Sequence, residues 1–191
     1  MKKIVYFLGL FTISIIIPSS AQTLRFTQET IRIEIRPDSY RLDGRYVFEN
    51  EGPTPVRRSI FYPFSQTGMP PESVSVDDED MHRQIPFSQS ELGLSLTISV
   101  PSYTTKGIRV KFVQRAPQHR LEYILTTTGD WGRPLDRARF FVWIPNSCKL
   151  LQLSLDPDKI IEDTAGKTYC VIRENFMPRH NLILTWQRSV P

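Results

Sequence analysis

Trp131 stands between Asp130 and Gly132, with Arg133 and Pro134 following it. An indole on a loop beside a guanidinium suits recognition, because Trp and Arg dominate binding hot spots and loops on a rigid scaffold carry binding residues. Gly132 permits a tight turn and Pro134 restricts the exit from the loop. Trp131, Arg133 and Asp130 are therefore the candidate binding residues, on a loop running from Thr127 to Pro134. The competing reading folds Trp131 back as a plug over the end of the fold. Burial of the ring separates the two.

Other chemistry is sparse. His82, His119 and His180 lie far apart, and no His-x-x-x-His, Cys-x-x-Cys or Gly-x-Ser-x-Gly pattern occurs. No glycine-rich loop offers backbone N–H groups to a phosphate. Asp77-Asp78-Glu79-Asp80 carries the hard oxygen ligands calcium takes, but it lacks their alternating spacing and reads as a solvated hairpin turn. Glycosidase-type carboxylates come from distant strands of a β fold, and nothing singles out a pair among 20 acidic residues. No catalytic residue, metal site or cofactor is expected.

Arginine is more suggestive. Arg25, Arg32, Arg36, Arg41, Arg45, Arg57 and Arg58 crowd the first strands, several on the outward face of one hairpin. They suit an anionic envelope polymer or an acidic protein surface. The plainer reading pairs them across strands with Glu29, Glu34, Asp43 and Glu49. The overall charge of +4, from 24 basic and 20 acidic residues, is too small to suggest a nucleic-acid partner.

The N-terminus indicates a compartment. Met1-Lys2-Lys3 is a basic n-region, Ile4 to Pro18 is an apolar run, and Ser19-Ser20-Ala21 offers a peptidase site. This is the pattern of a bacterial secretory signal peptide spanning 1–21, with the protein destined for the periplasm or the exterior. The run falls short of the roughly 20 residues a bilayer requires, and no later segment approaches that length, so no transmembrane segment is expected after cleavage. In an oxidising compartment Cys148 and Cys170, an even pair, predict one disulfide closing a loop of about two dozen residues. Two buried thiols are the alternative.

Period-two alternation runs through most of the chain. Ile31, Ile33 and Ile35 alternate with Arg32, Glu34 and Arg36, and Tyr40, Leu42, Tyr46 and Phe48 share a face after the turn at Pro37. These two runs read as a hairpin. Arg58, Ile60, Tyr62 and Phe64 share another face, and Leu92, Leu94, Leu96, Ile98 and Val100 alternate without interruption. Phe140–Ile144 is apolar on both faces, which predicts a doubly covered central strand holding Trp143 in the core; Trp186 is likewise expected inside. Residues 157–163 offer one helical turn at most. About a dozen short strands and little or no helix predict an all-β, antiparallel β-sandwich, a single domain over 22–191 with a possible subdivision near 128.

Between residues 30 and 145 this order of strands and turns resembles the β-sandwich modules typified by the vault/inter-alpha-trypsin domain. Arg45–Asn50, a Pro/Gly turn, Ile60–Phe64, Val74–Val76, an acidic turn, Leu92–Val100 and a basic strand at Gly107–Arg115 carry the likeness. The chain is similar also to secreted bacterial proteins of unknown function with a Tyr-x-Leu-Thr-Thr segment followed by Trp and Pro, here Tyr123–Thr127, Trp131 and Pro134. The resemblance implies an accessory or binding module and transfers no catalytic residue. The reading is an exported non-enzymatic protein that binds a partner protein or envelope component; the alternative is a secreted hydrolase or carbohydrate-active protein. Mass spectrometry of exported protein should find Gln22 at the N-terminus. A chain still starting at Met1 overturns the signal assignment.

Overall fold

The computed structural model describes residues 23–189; the predicted signal peptide lies outside them. Fourteen strands follow one another: β1 (Leu24–Arg36), β2 (Ser39–Asn50), β3 (Val56–Pro63), β4 (Val74–Asp78), β5 (Arg83–Gln84), β6 (Phe87–Gln89) and β7 (Gly93–Val100). After these come β8 (Thr105–Arg115), β9 (Arg120–Tyr123), a short 3-10 helix (Thr126–Trp131) and β10 (Leu135–Pro145). The chain closes with β11 (Cys148–Leu153), β12 (Lys159–Glu162), β13 (Gly166–Phe176) and β14 (Leu182–Arg188). The fold is all-β.

An eight-stranded sheet, ordered β12-β13-β10-β1-β2-β8-β4-β5, forms one layer. Two three-stranded sheets, β11-β14-β9 and β3-β7-β6, contribute to the same buried core. Pairing is antiparallel except between β1 and β10, which run parallel with Ile31 beside Phe140 and Ile33 beside Val142. Alternation decides what is buried. Ile31, Ile33 and Ile35 of β1, Tyr40 and Leu42 of β2, and Phe140 and Val142 of β10 point inward to meet Leu94, Leu96 and Ile98 of β7 and Leu182, Leu184 and Trp186 of β14.

A β-bulge at Thr27 interrupts the β1–β2 ladder: Phe26 pairs with Phe48, and Gln28 with the very next partner, Val47. Before the bulge the even-numbered Leu24 and Phe26 are buried; after it the odd-numbered Glu29, Ile31, Ile33 and Ile35 are. The extra residue changes which parity faces the core, so Phe26 and Glu29 both point inward.

Four expectations need correction. Residues 159–162 form the edge strand β12, not a helical turn, because its backbone extends the sheet beside β13. The candidate binding loop begins as a 3-10 helix. β10 is central but covered on one face only: Phe140 and Val142 are buried, while Phe141 and Trp143 are half-exposed on the far side of the sheet. Trp186 is in the core as expected.

The fourth concerns the cysteines, which are both free and buried. Cys148 belongs to the central core cluster. Cys170 lies opposite Phe141 in the β10–β13 ladder, beside Val171, which faces the core opposite Phe140. Alternation therefore sends Cys170 to the outer face of the large sheet, away from Cys148. Protein purified without reductant and then denatured should titrate two thiols, and reductant should leave Tm unchanged; a single cross-linked species would count against this placement.

Candidate functional site

A pocket of about 210 Å³ opens where the inner face of β1 and β2 meets β3, β9 and the 3-10 helix. Period-two geometry supplies its walls. Arg58, Ile60 and Tyr62 share the inward face of β3, Tyr46 and Phe48 that of β2, and Tyr123 closes the floor from β9. The volume is below the roughly 300–1,000 Å³ of sites for drug-sized ligands. At about 30 Å³ per water it holds on the order of seven waters or one compact organic molecule.

Trp131 forms one wall of the mouth. Its ring sits 5.3 Å from that of Phe48 and 5.9 Å from that of Phe26, and the Arg58 guanidinium lies 4.1 Å from its centroid. Half-buried, it is neither a projecting anchor nor a sealed plug but one side of an aromatic slot. The backbone holds it there. Asn181 Oδ1 accepts from Leu125 N at 3.0 Å and Thr126 N at 3.3 Å, fixing the entry to the helix. Gly132 ends it in the left-handed region at φ 69°, donating to Gly129 O at 3.0 Å, a conformation that favours glycine.

The structure brings Asp130 and Trp131 to the pocket but not Arg133. Exposed Arg133 donates to Glu51 Oε2 at 3.0 Å, while the other Glu51 oxygen accepts from Arg25 at 2.9 Å. Arg133 is thus a strut joining the loop to the β2–β3 turn.

The chemistry lies deeper. Glu29 is 3% exposed and lines the pocket. Its Oε2 accepts from the Tyr123 hydroxyl at 3.2 Å; that hydroxyl is 3.0 Å from the Tyr46 hydroxyl, which is 3.0 Å from that of Tyr62. Glu29 Oε1 is buried with no partner. Tyr46 reaches this junction because its ring lies over Gly44, where a Cβ would collide with the Tyr46 hydroxyl.

Burial in this apolar setting pushes the Glu29 carboxyl up to about 8, the Tyr123 hydrogen bond pulling weakly the other way. Burial likewise raises Tyr46, Tyr62 and Tyr123, so all three remain neutral hydroxyls. At neutral pH the floor is an uncharged hydrogen-bonding cluster ringed by aromatics. Such a carboxyl can give its proton to a ligand acceptor or accept from a ligand donor at Oε1. Glu29 was expected as a surface partner of arginine. The missed signal was its parity with Ile31, Ile33 and Ile35.

Asp77–Asp80 behaves as a turn. Asp78 is buried against Lys106 Nζ at 2.6 Å and accepts from the backbone N–H groups of Asp80 and Met81, and Glu79 pairs with Arg45. Among the described residues no group of three or more His, Cys, Asp or Glu side chains could hold a metal, and no helix is long and apolar enough to cross a membrane.

No family model and no curated protein matches the sequence. The fold, however, is shared with solved structures. A proposed nutrient-binding protein of Legionella pneumophila superposes with a TM-score of 0.71 at 15% identity, over 86% of this chain and 67% of that one. An M1 zinc metallopeptidase of Deinococcus radiodurans superposes with a TM-score of 0.52 at 12% identity, over 86% of this chain and 42% of the peptidase. The same enzyme bound to a Tyr-Ser-Ala substrate gives 0.52 over 89% and 44%. The chain thus spans less than half of the peptidase. At these identities the likeness shows the fold alone, and none of these neighbours is a vault/inter-alpha-trypsin module.

The buried carboxyl has a measurable signature. Unfolded, it titrates near its ordinary 4.5; folded, near 8. Between these values the native state holds a proton that the unfolded chain has lost, so stability falls as pH rises through the window and levels off above it. At roughly 1.4 kcal/mol per pH unit the loss is several kcal/mol at most. In denaturant melts, Glu29→Gln should flatten this decline and be more stable than wild type at pH 9 by roughly 2–4 kcal/mol. Parallel wild-type and variant profiles would show that Glu29 does not titrate this way.

Proposed function

We propose that this chain is a binding module that takes one compact organic ligand into the Glu29 pocket. One observation carries the reading: a carboxyl with an unpartnered oxygen, buried at the base of an aromatic slot that opens to solvent. A buried polar atom without a partner costs about 1–3 kcal/mol, a cost that a ligand group bonded to it removes. The ligand has a compact apolar body to pack against the Trp131, Ile60 and Tyr62 walls of the pocket, and a neutral hydrogen-bonding head to meet Glu29. Fold likeness to a proposed nutrient-binding protein supports a binding role without naming the ligand. Export to the periplasm or exterior, proposed from the N-terminal signal pattern, would place the pocket where small nutrients or envelope fragments arrive.

A hydrolase is the second reading, favoured only by Asp130 lining the same pocket as protonated Glu29. It predicts turnover of a bound ligand rather than its release unchanged.

Small polar aromatics and heterocycles screened by thermal shift and calorimetry should yield a stabilising ligand. Trp131→Ala should weaken that ligand by roughly 2 kcal/mol, and Glu29→Gln should change which head groups are accepted. A ligand bound equally well by both variants sits elsewhere and overturns the assignment.

A further inference from the structure

We propose that the outer face of the large sheet is a second, independent site: a groove that docks a linear acidic polysaccharide. Two depressions, of about 600 and 440 Å³, lie on this face and meet at Arg41. Residues in register show the path across the strands. Thr168 of β13, Trp143 of β10, Glu34 of β1, Arg41 of β2 and Val113 of β8 stand side by side in one row. From β13 to β4, which borders the far depression, there are five strand spacings, or roughly 24 Å at ~4.8 Å each. That is the reach of an oligomer, not of a single small molecule.

Charge selects the sign of the occupant. The groove's own acids are largely satisfied: Glu34 accepts from Arg36 at 3.2 Å, and Asp43 is held by Arg109 through two bonds of 2.7 and 2.6 Å. Glu72 lines the far end, near Lys111 and Arg115. Exposed Arg32, Arg41 and Arg115 have no carboxylate within salt-bridge distance among the described residues. Arg32, placed over Phe141 and beside Asp43, and the exposed Arg41 and Arg115 present planar donor forks along one groove to successive anionic groups.

Shape selects a sugar chain. Phe141 and Trp143 are half-exposed at one end, with the Arg32 guanidinium 5.4 Å from the Phe141 centroid. The C–H face of a pyranose ring is flat and apolar, as an indole face is, and a carboxylate on the same ring reaches the neighbouring arginine. An acidic protein partner would need about 800 Å² of complementary surface with an apolar centre. Here the two rings stand at one end, and at the other Val113 and Pro70 are interspersed with Arg41, Lys111 and Arg115, so no continuous apolar centre forms.

Native affinity electrophoresis of the full chain through gels containing polygalacturonate tests this, with neutral dextran and poly-L-glutamate as parallel matrices. Polygalacturonate should retard the wild type, less so as salt rises, and the other two should not. The double variant Arg32→Gln/Arg41→Gln should bind at least about tenfold more weakly, as should Trp143→Ala, while Glu29→Gln behaves as wild type. The arginine substitutions are at exposed positions, so they decide the matter even if Trp143→Ala fails to fold. No retardation by polygalacturonate, equal retardation by poly-L-glutamate, or unchanged binding of the double variant overturns the proposal.

Discussion

The candidate pocket depends on one extra residue in β1. Without the bulge at Thr27, strict alternation would turn either Phe26 or Glu29 to solvent, because the two are an odd number of positions apart. With it, the same strand supplies an aromatic wall that packs on Trp131 and the carboxyl at the pocket floor. Keeping that carboxyl inside is costly. Burial without a full set of partners raises Glu29 to about 8 and leaves Oε1 unbonded. A glutamine or leucine there would suit a purely structural core better. Local conflict of this kind, set in an otherwise consistent fold, is where function is expected to reside.

Much of the architecture was legible because period two is a strong signal when one face is dry. Ile31–Ile35, Leu92–Val100 and Tyr40–Phe48 predicted strands whose inward residues are found buried, except Leu92, which is exposed just ahead of β7. Errors arose where periodicity carried no information. Phe140–Ile144 is apolar at every position, so the pattern could not say that Phe141 and Trp143 face water. β12 is a four-residue edge strand with every residue exposed, and such a segment has no buried face to betray it. The cysteine pairing failed for a similar reason. An even count and a compartment say nothing about which face of which sheet a thiol occupies, and here alternation separates Cys148 from Cys170.

The site was legible only at its rim. Trp131 and Asp130 were chosen by residue type and loop position, and both line the candidate pocket. Arg133 was chosen on the same grounds but serves to tie down the loop through Glu51. The floor was misread because a glutamate among arginines invites a surface ion pair. Tyr46, Tyr62 and Arg58 had been placed on the correct strand faces without any sign that those faces converge. Convergence comes from pairings of high sequence separation: β9 lies against β14 and β3 against β7, in sheets separate from the one that holds β2.

β1 also explains why the two faces of the large sheet suit ligands of different charge. Its outward residues, Arg32 and Glu34, sit in water, where a charge costs little and need not be paired. Its inward residues lie in a medium where an isolated charge is expensive, so Glu29 keeps its proton and the tyrosines keep theirs. A fully charged ligand would meet an uncompensated desolvation cost in the pocket, whereas a neutral polar head exchanges one hydrogen bond for another. On the outer face the balance reverses: a neutral ligand gains little from exposed guanidiniums, and a polyanion gains from several at once. The same alternation that builds the sandwich thus divides neutral recognition within from charged recognition without.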